Sequence, residues 1–324
     1  MRAVTRRIKV ADTPLPCDLL VNATHFHQHI AMLFTPWVVL AVTTFVPPGG
    51  SVDHAADDRA LFARAEEATS NLAERNLSPL NKETRLAQCK RTATTAVNLL
   101  PPSQLRLEGE AAYRATAAAA VLITGAYKCD KCTRWHSTLA SGVIVDPNGV
   151  IATNHHVAAG ATAEAMGVMT ADGRFFPVIE VLATSKDNDV ALLRVNAKGL
   201  TALPVRDNLG AGAAIYCYSH PANNFGCFSD GIVTRYCRLG EAERNGAVFM
   251  QITADFARGS SGGPIVDQQG NLVGLVSSTQ PVYYDTTTAK GAPQTNLQMV
   301  RHNCVTGRAI LNLTRPEAAK SSLK

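Results

Sequence analysis

Three short stretches of this chain carry side chains able to do chemistry together. In Gly259-Ser260-Ser261-Gly262-Gly263-Pro264, two hydroxyls sit among glycines, between the apolar runs Val248-Phe249-Met250-Gln251-Ile252 and Pro264-Ile265-Val266. A Gly/Ser cluster usually reads as a flexible linker, but linkers are not flanked this closely by strand-like runs. A glycine-built turn permits positive φ and lets a carbonyl approach the main chain. Acyl transfer has this need, because a serine attacks a carbonyl carbon while adjacent backbone N–H groups hold the oxyanion. Such a serine is inert without a base. Thr153-Asn154-His155-His156-Val157 offers two imidazoles, and Asp187-Asn188-Asp189-Val190-Ala191-Leu192-Leu193 offers two carboxylates. The order along the chain is His, Asp, Ser.

That order belongs to the chymotrypsin-type arrangement of the Ser-His-Asp triad. Thr-Asn-His-His-Val, Asp-Val-Ala-Leu-Leu and Gly-Ser-Ser-Gly-Gly-Pro resemble the three motifs of trypsin-like serine proteases, with the Deg/HtrA branch as the nearer match. Ser141-Gly142-Val143-Ile144-Val145 and Ser229-Asp230-Gly231-Ile232-Val233 extend the likeness, which runs from about Ala118 to Leu313. The resemblance implies an all-β fold of two six-stranded β-barrels of the chymotrypsin type. It implies Ser261 as nucleophile, since it directly precedes Gly-Gly-Pro, with Ser260 as the rival. His156 directly precedes valine and is the implied base, with His155 as the alternative. Asp189 leads into the apolar strand that buries the family's aspartate, whereas Asp187 does not. The oxyanion hole would be the N–H groups of Gly259 and Ser261. Trypsin has an aspartate where Ser260 stands, so activation by a newly released N-terminus is not expected.

Specificity is less sharply written. Asp255 stands six residues before Ser261, at the offset where trypsin-like proteases place the base of the substrate pocket. A carboxylate there selects Lys or Arg. Against this, Deg/HtrA-type proteases generally accept small aliphatic residues, and Arg258 is close enough to neutralise Asp255 locally.

The elements that must position these groups are short strands. Val121-Leu122-Ile123, Val143-Ile144-Val145, Val178-Ile179-Glu180-Val181, Ile215-Tyr216 and Leu272-Val273-Gly274-Leu275-Val276 read as strands. Asp146-Pro147-Asn148-Gly149, Ala171-Asp172-Gly173 and Asp267-Gln268-Gln269-Gly270-Asn271 read as the turns between them. Many short strands at this spacing predict a barrel architecture. A helix from Asp53 to about Glu74, a second opening at Ser78-Pro79 and ending before Pro101-Pro102, and a final helix near Cys304 to Leu313 are expected around them. The organisation expected is a tail with a signal or anchor segment over 1–51, a helical spacer or pro-region over 52–117, the protease domain over 118–313 and a tail over 314–324. A helical arm for binding a partner is the sharper reading of 52–117. No PDZ domain of the kind many family members carry is expected after Leu313.

Composition agrees with a globular protein, at 46% hydrophobic and 18% charged residues in 324. The net charge of +5 lies mostly in Arg2, Arg6, Arg7 and Lys9, and no clustered basic face suggests nucleic acid. His25, His27 and His29 fall in a polar, basic tail. Residues 30–46 form an uncharged apolar run ended by Pro47-Pro48-Gly49-Gly50, which fits a signal-peptide core or a tilted membrane anchor and so an exported, periplasmic or secreted protein. Of eight cysteines, Cys17 precedes that run. Seven remain, so not all pair within one chain. Cys217 and Cys227 flank a loop and could bridge. Cys129-Asp130-Lys131-Cys132, with His136 close behind, offers a disulfide, free thiols or, with His302 or Cys304, a tetrahedral zinc site; a second close-spaced ligand pair is missing. The expected function is a serine endopeptidase acting on protein or peptide segments, requiring no cofactor. A silent binding module on the same fold and a cysteine-pair metal or redox module are the alternatives.

Overall fold

The computed structural model describes residues 47–207, 209–239, 246–284 and 295–315. The expectations for the N-terminal tail, its histidines, Cys17, the apolar run 30–46 and the C-terminal tail from 316 fall outside these residues. Among the described residues no helix is long and apolar enough to cross a membrane. Residues from Thr44 onward form one compact unit, and the other unit, Met1–Thr43, lies outside the described residues.

In chain order the elements are helices α1 (Asp58–Glu74) and α2 (Lys82–Gln88), strand β1 (Thr95–Ala96), helix α3 (Gly109–Ala119), and strands β2 (Ala120–Lys128), β3 (Trp135–Asp146) and β4 (Val150–Thr153). A single helical turn α4 (His155–Ala158) follows, then β5 (Ala165–Thr170), β6 (Phe175–Ser185), β7 (Val190–Val195), β8 (Ala214–Ser219), β9 (Cys227–Arg238) and β10 (Val248–Ile252). The chain closes with β11 (Pro264–Asp267), β12 (Leu272–Tyr283), β13 (Leu297–Thr306), α5 (Gly307–Leu311) and β14 (Thr314–Arg315). Two closed antiparallel barrels result, ordered β2-β3-β4-β7-β6-β5 and β10-β13-β12-β11-β8-β9. The expected pair of six-stranded barrels is therefore present, and all five stretches read as strands lie in strands.

Side chains alternate across a strand, and here both faces are buried. On β4, Ile151 points into the first barrel with Ile144, Val168, Val181 and Leu193. Its neighbours Val150 and Ala152 face the other way, joining Val143, Val190 and Leu192 against Leu272, Leu275 and Val305 of the second barrel and Ile310 of α5. Burial on both faces explains why these strands read as near-continuous apolar runs rather than as an alternation. The second barrel is filled by Ile215, Cys217, Val233, Met250, Ile265 and Cys304.

The helices differ from expectation. α1 begins at Asp58, capped by Asp57, whose carboxylate accepts the Ala60 N–H at 2.9 Å. Its apolar stripe, Leu61, Phe62 and Ala65, packs on Leu122, Met169 and Phe225. The second helix is short. Its cap is Asn81, which accepts the Thr84 N–H at 2.8 Å, and not Ser78. It ends at Gln88 because the chain then extends to pair β1 in parallel with β14, Thr95 opposite Thr314. An unanticipated helix, α3, puts Tyr113 against Tyr218 and Phe228 of the second barrel. The last helix starts only at Gly307, since Cys304 belongs to β13.

Candidate active site

The first wall of the site is built by β4. This fully buried strand runs straight into Asn154, whose side chain donates to the Asp189 carbonyl at 3.0 Å. The turn of helix α4 then presents His156. Asp189 arrives from the other direction, at the end of the tight turn before β7, with φ of 53°. A positive φ is tolerated by aspartate more readily than by most residues. It is buried, at 4% exposure.

The Asp189 carboxylate is fully occupied. His156 Nδ1 lies 3.0 Å from each of its oxygens, the His156 backbone N–H donates to Oδ1 at 3.1 Å, and Ser277 Oγ donates to Oδ2 at 2.6 Å. Burial alone would raise the pKa of this carboxyl, but the His156 hydrogen bond and charge, the Ser277 hydroxyl and the His156 amide outweigh it and hold it below the usual carboxylate value. A carboxylate so held fixes the ring, with Nδ1 directed to Asp189 and Nε2 left for a second partner. His155 takes no part in this network: burial lowers its pKa, and its Nδ1 is buried without a hydrogen-bond partner among the described residues. Asp187 sits half-buried in the same turn, but the carboxylate on the ring is that of Asp189.

The second wall is the glycine-rich turn. Gly259 has φ of 97° and Gly262 of 84°. A Cβ on Gly262 would lie 2.1 Å from the Ser141 carbonyl oxygen, so only glycine fits there. The turn is stitched by Ser260 N–H to Ala257 O at 3.1 Å, Gly262 N–H to Val276 O at 2.9 Å and Gly263 N–H to Ser260 O at 2.9 Å, while Ser141 N–H donates to Ser261 O at 2.7 Å. Ser260 is fully buried, its Oγ accepting weakly from Ala257 N–H at 3.4 Å. Ser261 is half-buried and lines a cleft of about 240 Å³ with His156, Gly259, Thr138, Leu139 and Met166.

Two amides of this turn stand apart. Among the described residues, the N–H groups of Gly259 and Ser261 donate to no protein acceptor. The peptide ahead of Gly259 is oriented by Arg258, whose carbonyl accepts the Ala222 N–H at 2.7 Å. In a trans peptide the Gly259 N–H then points the opposite way. His220 braces the same corner: its carbonyl would lie 2.7 Å from a Cβ on Gly259, and its Nδ1 accepts the Gly226 N–H at 3.1 Å. Burial lowers the His220 pKa to about 4.

Asp255 is placed differently from its neighbours. Its side chain is 93% exposed, at the edge of a wide cavity of about 1100 Å³ that adjoins the cleft at Arg258. Its carboxylate is 3.8 Å from His302 Nε2, and its carbonyl accepts Ser229 Oγ at 3.0 Å. The apolar side of this cavity is Phe256, packed edge-on to His302 at 4.7 Å.

The described cysteines are free thiols. Cys217 does not bridge Cys227: it faces the second barrel's interior, where burial pushes its pKa up to about 12, while Cys227 is exposed. At the tip of the β2–β3 hairpin, Cys129, Cys132 and His136 converge. His302 and Cys304 lie on β13 of the second barrel instead. Sequence reasoning missed Ser277, Asn154, His220 and Arg85, each of which acts through a contact distant in sequence.

Residues 140–275 match the model of the trypsin-like peptidase domain. Over that stretch the chain is similar to trypsin-like peptidase domains, and it folds as two barrels. Part of the chain is also similar to proteases of the Deg/HtrA type. It is 34% identical over 141 residues to the periplasmic serine endoprotease DegP of Escherichia coli (strain K12), covering 42% of this chain and 29% of DegP. It is 34% identical over 143 residues to the serine endoprotease DegS of the same strain, covering 43% of this chain and 39% of DegS. An uncharacterized Sinorhizobium fredii protein, y4bJ, is 34% identical over 146 residues, covering 44% and 22%. The chain thus spans well under half the length of these curated relatives. Among solved structures, the HtrA-type protease AlgWS227A with decapeptide shares the fold at a TM-score of 0.50 and 19% identity, covering 62% of this chain and 63% of that one.

Proposed function

We propose that the protein is a serine endopeptidase that hydrolyses protein or peptide substrates through an acyl-enzyme. The observation that carries this reading is the buried Asp189 carboxylate gripping His156 Nδ1 in a cleft shared with Ser261 and with two amides lacking acceptors. Ser261 Oγ attacks the scissile carbonyl carbon as its proton passes to His156 Nε2. The oxyanion is held by the Gly259 and Ser261 N–H groups. Collapse of the intermediate breaks the C–N bond, and His156 gives its proton to the leaving amine. Water then attacks the acyl group by the same route, with His156 as base, and restores the Ser261 hydroxyl.

Among the described residues no hydrogen bond joins Ser261 to His156, and such contacts often tighten only when substrate binds. In this reading Asp255 serves as a substrate-binding group at the cavity beside the cleft, favouring cationic side chains. The protease is exported, with residues 30–46 as its signal or membrane anchor and 52–117 as a region ahead of the catalytic domain. The basic, apolar and breaker order of the N-terminal sequence supports export, as does the description of DegP as periplasmic.

A fluorophosphonate probe tests the mechanism. Covalent labelling of the wild-type protein at neutral pH, lost in Ser261→Ala and His156→Ala but kept in Ser260→Ala and His155→Ala, is expected. Folded wild-type protein that takes up no label would overturn the assignment.

A further inference from the structure

The β2–β3 hairpin holds a second constellation, remote in kind from the cleft chemistry. The ladder pairs Tyr127 with His136 and Lys128 with Trp135, so residues 129–134 form the connecting loop. Within it, Cys129 and Cys132 are spaced as in a C-x-x-C turn, and His136 is the second residue of β3. The register therefore brings the imidazole back beneath the two thiols. Cys129 Sγ lies 3.5 Å from Cys132 Sγ and 3.2 Å from His136 Nε2, and Cys132 Sγ lies 2.9 Å from the same nitrogen. Among the described residues, no other group of three His, Cys, Asp or Glu side chains brings its ligand atoms together in this way.

Two simpler accounts explain less of this geometry. A ring nitrogen has one lone pair or one proton, so it can satisfy one sulfur, yet both sulfurs converge on Nε2. A disulfide needs about 2.05 Å between sulfurs, and its formation would not call for the imidazole. A tetrahedral metal accounts for all three contacts. With Zn–S near 2.3 Å and Zn–N near 2.0–2.1 Å, tetrahedral angles put the sulfurs about 3.8 Å apart and each about 3.6 Å from the nitrogen. Each observed separation would open by less than about 1 Å. Two thiolates with an imidazole form a soft donor set that suits zinc rather than calcium or magnesium.

We propose that Cys129, Cys132 and His136 form a zinc site on the β2–β3 hairpin, with solvent at the fourth position. Binding displaces the two thiol protons, and the thiolates neutralise the ion. The ion ties the connecting loop to β3. His136 lies on the strand whose next residues, Thr138, Leu139 and Ala140, line the candidate cleft. Fixing the end of that strand therefore steadies one wall of the cleft. This site does not depend on the peptidase reading.

Metal analysis of the full chain, purified without chelator and dialysed against low zinc, tests the site. One zinc per chain is expected, lost in Cys129→Ser, Cys132→Ser and His136→Ala and retained in Cys304→Ser. Substituting cobalt should give a sulfur-to-cobalt charge-transfer band that weakens when either hairpin cysteine is replaced, a readout independent of activity and of small losses in stability. The proposal is overturned if reduced, folded protein binds no stoichiometric zinc, or if zinc persists when Cys129→Ser, Cys132→Ser and His136→Ala are combined. A Cys129–Cys132 disulfide in the protein as isolated, with no metal taken up after its reduction, would overturn it as well.

Discussion

The guanidinium of Arg85, on a helix outside both barrels, donates to the carbonyl of Ala158, two residues past His156. The same group donates to Gly160 O at 2.9 Å and Ala163 O at 2.6 Å. Arg85 is 1% exposed, and burial lowers its pKa against the opposing pull of Cys89 and Glu164. A buried cation is tolerated here because three carbonyls of the loop after the candidate base surround it. Arg85→Ala removes the cation and leaves those carbonyls unpaired. The expected cost is about 3 kcal/mol in urea unfolding, with kcat lowered more than KM is raised. Arg85→Lys should recover part of both, and a wild-type unfolding midpoint in Arg85→Ala would refute the bracing role.

Ser277 stands behind Asp189 and donates to the oxygen that also faces His156. Ser277→Ala should lower kcat about tenfold with little change in KM, because a hydrogen bond to a buried charge contributes roughly 1.5–3 kcal/mol. Ser277→Thr, which keeps the hydroxyl, should stay near wild type. Equal kinetics for wild type and Ser277→Ala would show that the Asp189–His156 pair holds its geometry unaided.

Acid should loosen the corner that supports Gly259. His220 is kept neutral by burial, its pKa moved from 6.5 to about 4. Between those values the unfolded chain binds the extra proton and the folded chain does not. Stability therefore falls as pH drops through that window, by about 3 kcal/mol for a shift of this size. His220→Asn keeps an acceptor for the Gly226 N–H and removes the titration. Its urea midpoint should vary less between pH 6.5 and 4 than that of wild type, and parallel curves for the two proteins would exclude His220 as the source.

Exposure limits what Asp255 can do for specificity. A carboxylate 93% exposed to water is screened. Asp255→Ala should reduce cleavage after Lys or Arg, relative to cleavage after Val, Ala or Ile, by no more than about fivefold. A peptide-library digest decides this. Cuts after aliphatic residues that are unchanged by the substitution would make Asp255 irrelevant to selection.

The parts of this protein that were legible in its sequence are those encoded within a few residues. Gly259, Gly262 and Gly149 sit at positive φ in turns announced by their neighbours. The strands announced themselves as apolar runs because both of their faces are buried. The second helix was misread and the third missed, where local signals conflict with tertiary ones. Ser78-Pro79 has the form of a cap, but Asn81 supplies the bond. α3 begins at Gly109, and its N-cap residue Glu108 makes no side-chain capping bond. Ser277, Arg85 and His220 carry no local signature. Ser277 meets its partner across 88 positions and Arg85 across 73, so only the fold makes them neighbours. The hairpin thiols were visible as a pair. Their third donor was adjacent in sequence, but its convergence depends on the Tyr127–His136 register.

The parallel pairing of Thr95–Ala96 with Thr314–Arg315 has a mechanical consequence. Thr95 N–H donates to Leu313 O at 2.9 Å, and Val97 N–H to Arg315 O at 3.1 Å. Tension applied to the chain beyond Arg315 loads these two bonds in shear and passes into the segment containing Arg91. Arg91 O accepts the Thr184 N–H at 2.7 Å on β6, and α2 with Arg85 lies just upstream. The load path from the last strand therefore leads to the loop after His156 by way of a segment that belongs to neither barrel.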